Sequence, residues 1–233
     1  MQYIKIKDAI VEQIESGLLA SRQKLPSERK LAESFDTTRV TLREALSLLE
    51  SEGKIYREDR RGWFISSAPL KLNPAKLLSF RARATEQNRQ PNTVVVLAKS
   101  VLANKQAASM LSLPPFSDVY QVERIRLLEN RPIGYVTHYV RPDLMPNLLD
   151  LDISASLTET YREHFAISYA KTRQRIVTTS LQGDIAQALH CAVGTPALMI
   201  ESINYGENGE LIDCSIEYWR HDAICIETEI TLL

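Results

Sequence analysis

The sequence predicts an α+β chain in two parts. An N-terminal part of three helices and a short hairpin precedes a larger mixed domain of largely antiparallel strands. Three observations carry this. From Leu25 to Ile65 apolar residues first recur at helical spacing and then flank a short charged turn. From 68 to 78 the stretch APLKLNPAKLL, with two prolines, breaks the pattern. Beyond residue 80, β-branched runs alternate with short helical ones, with hairpin signals at Glu129-Asn130-Arg131 and Glu207-Asn208-Gly209. The expected organisation is residues 1–66, a linker at 67–79, and residues 80–233.

In the first part, Ile6, Ile10 and Ile14 repeat every four residues, and Gly17 is placed to close that helix. Ser27 is a good N-cap for SERKLAESF, whose buried side would be Leu31, Ala32 and Phe35. Asp36-Thr37-Thr38 makes a turn into a third helix, with Leu42, Ala45, Leu46 and Leu49 on one stripe and Gly53 at its end. Lys54–Ser66 then places Ile55 and Trp63-Phe64-Ile65 on either side of Glu58-Asp59-Arg60-Arg61-Gly62, a β-hairpin with a basic tip.

In the second part, strands are expected at 94–102, 119–128, 132–140, 169–181, 199–205, 211–219 and 224–232. Helices are expected at 105–113, 156–164 and 184–191. No repeat and no low-complexity segment interrupts them.

Composition narrows the function classes. The 44% hydrophobic and 24% charged shares are those of an ordinary globular protein. No apolar run is long enough to span a membrane, and the N-terminus lacks a signal-peptide core, so a cytoplasmic protein is expected. Cys191, Cys214 and Cys225 lack metal or redox spacing and read as buried, inert thiols, so no metal or cofactor is expected. Net charge is −1, and residues 1–66 hold 12 basic against 11 acidic side chains. Any nucleic-acid contact must therefore come from where the charges stand.

The third helix has such a placement. Arg39 and Arg43 lie four apart on the side opposite the apolar stripe, with Thr38 and Thr41 at the N-terminal end. A guanidinium can bond both major-groove acceptors of guanine. Three helices followed by a wing form a layout that docks on duplex DNA. The bland alternative is a small helical domain whose arginines are a solvated surface.

Two strand faces stand out in the second part. In VERIRLL, Val122, Arg124, Arg126 and Leu128 share one side, and two buried arginines call for an anion such as a phosphate or phosphonate. Their alternative is a pair of surface arginines. In LIDCSIEYW, Ile212, Cys214, Ile216 and Tyr218 share a core-like face. Asp213, Ser215, Glu217 and Trp219 share the other, where two carboxylates and an indole suit a small ammonium group. Its alternative is a solvated strand face.

The run L-P-S-E-R-x-L-A-x-x-F-x-x-[ST]-R-x-T-[LV]-R-x-A-L-x-x-L-x-x-x-G resembles the N-terminal motif of the GntR family of bacterial repressors. The resemblance implies a winged helix-turn-helix, a homodimer on a two-fold operator, and DNA contacts from Ser27, Arg29, Thr38, Arg39, Thr41, Arg43, Arg61 and Gly62. By physical role, Ser27 and Arg29 would hold phosphates while Arg39 and Arg43 read bases. Trp63 follows the wing glycine where many relatives have a small residue, and is expected to pack rather than touch DNA.

Residues 80–233 resemble the UTRA effector domain of the HutC branch, similar in fold to chorismate lyase. The carriers are ERIRLLENRPIGY, SLTETY, A-x-A-L…G-T-P-A-L and S-I-E-Y-W-R-H-D. The resemblance implies phosphate binding by Arg124, Arg126 and Thr93. Val136 stands where sugar-phosphate sensors have a glutamate, which argues against a sugar. EDRRGWFIS, the Arg89–Thr93 loop and IEYWRHD look closest to regulators of 2-aminoethylphosphonate uptake and breakdown operons. That zwitterion would use Thr93, Arg124, Arg126, Tyr169, Asp213, Glu217 and Trp219. A sugar phosphate or an amino-acid catabolite is the alternative effector. The lyase-like fold leaves an enzyme as a further class, which no Ser/His/Asp set, metal-spaced cluster or phosphate loop supports. His138, His164, His190 and His221 are dispersed along the sequence.

Overall fold

A computed structural model describes residues 1–58, 60–76 and 78–230. Asp59 of the wing turn, Leu77 of the linker and the 231–232 end of the expected last strand lie outside the described residues.

The helices are α1 (Gln2–Glu15), α2 (Glu28–Ser34), α3 (Arg39–Ser51), α4 (Phe80–Glu86), α5 (Lys105–Met110), α6 (Leu157–Phe165) and α7 (Gly183–Ala188), with a 3-10 turn at Leu148–Asp150. The strands are β1 (Ile55–Glu58), β2 (Gly62–Ile65), β3 (Leu70–Leu72), β4 (Pro91–Leu102), β5 (Asp118–Leu128), β6 (Arg131–Val140), β7 (Lys171–Ser180), β8 (Pro196–Tyr205), β9 (Leu211–Arg220) and β10 (Ile224–Ile226). The α+β class is as the sequence predicts.

The chain packs as two compact units that do not follow chain order. One takes residues 1–72 with 181–196 and 220–233, and the other takes 73–180 with 197–219. The first is built on α1, α2 and α3. Ile6 and Ile10 meet Leu31, Ala32, Leu42, Ala45, Leu46 and Leu49 in one apolar cluster, which β1 and β2 complete with Ile55, Trp63 and Ile65. Each cap works as its residue type requires. Ser27 Oγ accepts from Lys30 N at the start of α2, and Thr38 Oγ1 accepts from Thr41 N at the start of α3. Gly53, at φ 69°, turns the chain out of α3 in a conformation that side chains disfavour. β1 and β2 pair antiparallel from Ile55↔Ile65 to Glu58↔Gly62, which makes the wing.

The expected linker contains a strand. β3 pairs in parallel with β10, Leu70 opposite Ile224, and Leu70 is fully buried. The last strand is therefore shorter than expected, and it sits in this two-stranded ribbon and not in the main sheet. Around it, Arg220 bonds Asp222 and the Leu189 carbonyl and lies 5.2 Å from the Tyr56 ring. His221 contacts the carbonyl oxygens of Pro196 and Glu50 through its two ring nitrogens.

The second unit is organised on a six-stranded sheet of order β4-β5-β6-β9-β8-β7. β4, β5, β6 and β9 pair antiparallel in turn. Glu129 and Asn130 both have positive φ in the β5–β6 turn, as a tight hairpin requires. Two apolar clusters serve the sheet, one with Val122, Val140, Ile212 and Tyr161, the other with Val119, Tyr139, Cys214 and Ile216. Before β4 the chain forms α4, whose Phe80 and Ala84 are buried and whose cap is Ser79.

Leu46 is fully buried at the centre of the first cluster. Leu46→Ala is expected to cost ~2–5 kcal/mol of stability. The check is a urea titration read at Trp63, compared with the mild effect expected of the exposed Leu18→Ala.

Candidate nucleic-acid interface and effector face

The expected DNA-facing residues gather on one unit. Arg39 and Arg43 stand exposed on α3, away from its buried stripe, and Thr41 shares a hydroxyl contact of 3.1 Å with Thr38 at the helix start. Ser27 is spent on its cap bond, and its hydroxyl still lies at an exposed helix start. Carboxylates hold three of the arginines. Arg29 pairs through Nη1 with Glu33 at 3.5 Å, Arg61 pairs through Nη1 with Glu58, and Arg43 pairs through Nε with Glu28 at 2.7 Å. These three pairs fit the near-neutral charge of the segment, in which basic side chains stand beside acidic ones. Gly62, at φ 102°, shapes the wing beside Arg61. Trp63 packs, with its ring in the apolar cluster and its indole N–H donated to Glu28. Val40 was not singled out from sequence. It is 68% exposed beside Arg39, and the signal was an apolar residue off the buried stripe of α3.

The second site is one face of the six-stranded sheet. Residues directly opposite on antiparallel strands point the same way. Thr93 on β4, Arg126 on β5, Gly134 on β6 and Trp219 on β9 thus form one row, and Arg124, Val136 and Glu217 the next. His138 opposite Ser215, and Val140 opposite Asp213, continue the face. Thr93 lies on a strand and not in a loop, and its hydroxyl accepts from Arg126 Nη1 at 2.8 Å. Directly after the Arg126↔Gly134 pair the β5–β6 register shifts, and a bulge of this kind re-aims the side chains beside it.

The face is basic and dry. Arg124 is 1% exposed. Its Nη1 donates to the Ile153 and Ala155 carbonyls, and its Nη2 lies 2.7 Å from His138 Nε2. A guanidinium only donates, so His138 Nε2 accepts and the proton sits on Nδ1. Burial, and then the charges of Arg124 and Arg126, hold the His138 pKa well below the usual histidine range. Burial, followed by repulsion from Arg124, brings Arg126 down to about 9, with Glu217 opposing. Arg126 also stands 5.3 Å over the Phe80 ring of α4. Among the described residues, Arg124 Nε, Arg126 Nε and His138 Nδ1 are shielded from solvent and have no hydrogen-bond partner. Three unsatisfied buried donors on one face ask for an acceptor-rich anion.

The acidic side is arranged differently from the expected ammonium pocket. The face is buried rather than solvated, and Asp213 is fully buried. Both of its oxygens are occupied: Oδ2 accepts from Tyr161 at 3.1 Å and Tyr169 at 2.7 Å, and Oδ1 from Asn204 at 2.6 Å. Burial raises the Asp213 pKa above the usual carboxylate range although these three donors and Arg124 oppose it. Glu217 accepts from Ser215 at 3.1 Å and from Trp219 Nε1 at 2.8 Å. Trp219 is 2% exposed, its ring 5.9 Å from Phe80. His138, Tyr161 and Asn204 were not singled out from sequence. Alternation alone would have put His138 on the arginine face, whereas Tyr161 comes from α6 and needed the tertiary packing.

Two outcomes are expected. A Cβ on Gly134 would lie 2.5 Å from Trp219 Cε3. Gly134→Ala should therefore displace the indole, shift its fluorescence and cost ~1–3 kcal/mol by overpacking. For Asp213, the folded pKa lies above the unfolded one, so the unfolded chain releases its proton first as pH rises. Stability should then fall as pH climbs from the ordinary carboxylate range to the raised value. Asp213→Asn should flatten that fall, measured as urea midpoints across the acidic range.

Residues 86–224 match the UTRA domain family, and residues 2–65 match the bacterial regulatory proteins of the gntR family. The chain is 28% identical to the uncharacterized HTH-type transcriptional regulator YihL of Escherichia coli, over 94% of this chain and 93% of that protein. It is 26% identical to the HTH-type transcriptional repressor NagR of Bacillus subtilis, over 94% and 90%. Among solved structures, PhnF from Mycobacterium smegmatis shares the fold with a TM-score of 0.69 at 21% identity, covering 97% of this chain and 99% of that one. The relatives are named as transcriptional regulators and not as enzymes. The chain belongs to the gntR family of bacterial regulatory proteins, as a member that joins its DNA-binding domain to a UTRA effector domain.

Proposed function

We propose that this regulator is a homodimeric repressor of genes for phosphonate uptake and breakdown, released from its operator by 2-aminoethylphosphonate. Residues 1–66 are the DNA-binding part, 67–79 the connector and 80–233 the effector and dimerisation part. The observation that carries the effector reading is the pair Arg124 and Arg126 on one sheet face, with the Nε of each shielded from solvent and lacking a partner. A phosphonate dianion supplies the acceptors and the charge that this face lacks, and Thr93 adds a hydroxyl beside Arg126. Val136, apolar and buried between Arg124 and Glu217, leaves nothing there for sugar hydroxyls. At the other end, Glu217 is the better partner for the ammonium group. Tyr169 and Asp213 support it from behind, since Asp213 is already saturated, and Trp219 fixes Glu217 through its indole N–H.

On DNA, Arg39 and Arg43 read base edges from α3, with Thr38 and Thr41 at the helix start and Val40 available to a thymine methyl. Ser27, Arg29 and the wing tip Arg61-Gly62 hold phosphates. Two copies place two such helices on a two-fold operator. Release follows when the effector binds the DNA-free geometry more tightly than the DNA-bound one. Among the described residues no helix is long and apolar enough to cross a membrane, which suits a cytoplasmic regulator.

The test is a thermal-shift panel of 2-aminoethylphosphonate, glucosamine-6-phosphate and urocanate. Only the first is expected to stabilise the protein, by ~2.7 kcal/mol at a hundredfold excess over Kd. A shift with glucosamine-6-phosphate alone would turn the reading to a sugar phosphate. Arg126→Ala should abolish the shift and the release from DNA while operator affinity stays unchanged. A response that survives this substitution places the pocket elsewhere.

A further inference from the structure

Glu28 opens α2, directly after the Ser27 cap, and it touches two other elements. Its Oε2 accepts from Arg43 Nε on α3 at 2.7 Å, and its Oε1 accepts from Trp63 Nε1 on β2 at 3.2 Å. The carboxylate is only partly exposed. Partial burial works against its charge, and the bonds from Arg43 and Trp63 overcome this, so its pKa lies below the usual glutamate range. Trp63 is itself a fixed partner, buried in the apolar cluster and with Arg57 5.8 Å from its ring.

Which nitrogen is used matters. Arg29 and Arg61 meet their carboxylates through Nη1, a member of the terminal fork that would bond a phosphate or a base. Arg43 meets Glu28 through Nε, so its Nη1 and Nη2 fork remains directed away from that bond. The first two pairs must open for the fork to bond DNA, whereas the Glu28 pair can persist while the fork bonds both acceptors of a guanine.

We propose that Glu28 is a positioning residue for base reading, which holds the Arg43 fork in one orientation and ties it to the wing through Trp63. The proposal rests on the reading of Arg43 as a base contact. Glu28 need not touch DNA. It removes rotamer freedom from Arg43 before binding, as supporting side chains do for a metal-ligating imidazole. The Arg43 end of the pair is exposed, and Glu28→Gln and Trp63→Phe keep the shape and most of the packing, so the variants should stay folded.

The test uses the full-length protein and two duplexes: the tightest sequence selected by the wild-type protein from a randomised pool, and a shuffled duplex of the same composition. The readout is the ratio of the two affinities. Glu28→Gln should strengthen binding to the shuffled duplex, because a negative charge leaves the DNA-facing side, and should lower the ratio by about 3- to 10-fold, the factor for ordering one long side chain. Trp63→Phe keeps every charge and most of the ring, and should lower the ratio without the general gain. In an Arg43→Ala background, Glu28→Gln should lower the ratio no further. If Arg43→Ala lowers the ratio while Glu28→Gln and Trp63→Phe change both duplexes equally, Glu28 has no positioning role. A further fall in the Arg43→Ala background would make Glu28 a reader in its own right and overturn the proposal. If Arg43→Ala leaves the ratio unchanged, the base-contact reading fails and the proposal falls with it.

Discussion

Two guanidinium groups on one face of a sheet, Arg124 buried and Arg126 half-buried, are the constraint around which the second unit is built. Arg124 and Arg126 alternate on β5, so the same pleat turns both to one face, where Arg124 is buried and Arg126 half-buried. A charge removed from water must be met, and the unit meets it only in part. Two loop carbonyls and a neutral imidazole hold Arg124, a threonine hydroxyl and a phenyl ring flank Arg126, and Glu217 supplies an opposing charge two strands away. The shortfall leaves the Nε groups of both arginines and Nδ1 of His138 without an acceptor. A fully compensated cluster would have no use for an anion, and an uncompensated one would cost too much to fold.

The same principle of partial satisfaction recurs on the DNA-binding unit with a different outcome. There the arginines are exposed, and the Arg29–Glu33 pair, open to solvent on both sides, is one that water and phosphate can replace at little cost. Beneath these pairs the unit has an apolar core. Its α3 is packed on one side by α1 and α2, and His221 contacts its last turn at the Glu50 carbonyl. Burial raises the Glu50 pKa there, against the attraction of His221, Arg220 and Arg57. In the same unit, the Arg220-His221-Asp222 segment packs with α3 and with Tyr56 of β1.

Local chemistry decided how much of this was legible beforehand. The helical stripe of α3, the Ser27 and Thr38 caps and the Glu129-Asn130 turn are set by neighbours within a few residues, and all were readable. The shared faces of Arg124 with Arg126 and of Asp213 with Glu217 follow from period-two alternation, and these too were readable. Whether those faces met solvent or protein was not, because that depends on α4 and α6, which cover them from distant parts of the chain. Asp213 is the example. Its neighbours in sequence gave no sign that Tyr161, Tyr169 and Asn204 would each donate to it.

By itself, the sequence determined the α+β class, the winged helix-turn-helix, the family and the arginine pair of the effector face, since each is encoded in short-range spacing. The tertiary structure alone decided that the connector holds a strand paired with the C-terminal β10, that a neutral His138 accepts from Arg124, and that Glu28 joins α3 to the wing. Each of these depends on a partner far along the chain. A contact of that kind leaves no period in the sequence, because its geometry exists only once the elements between are packed.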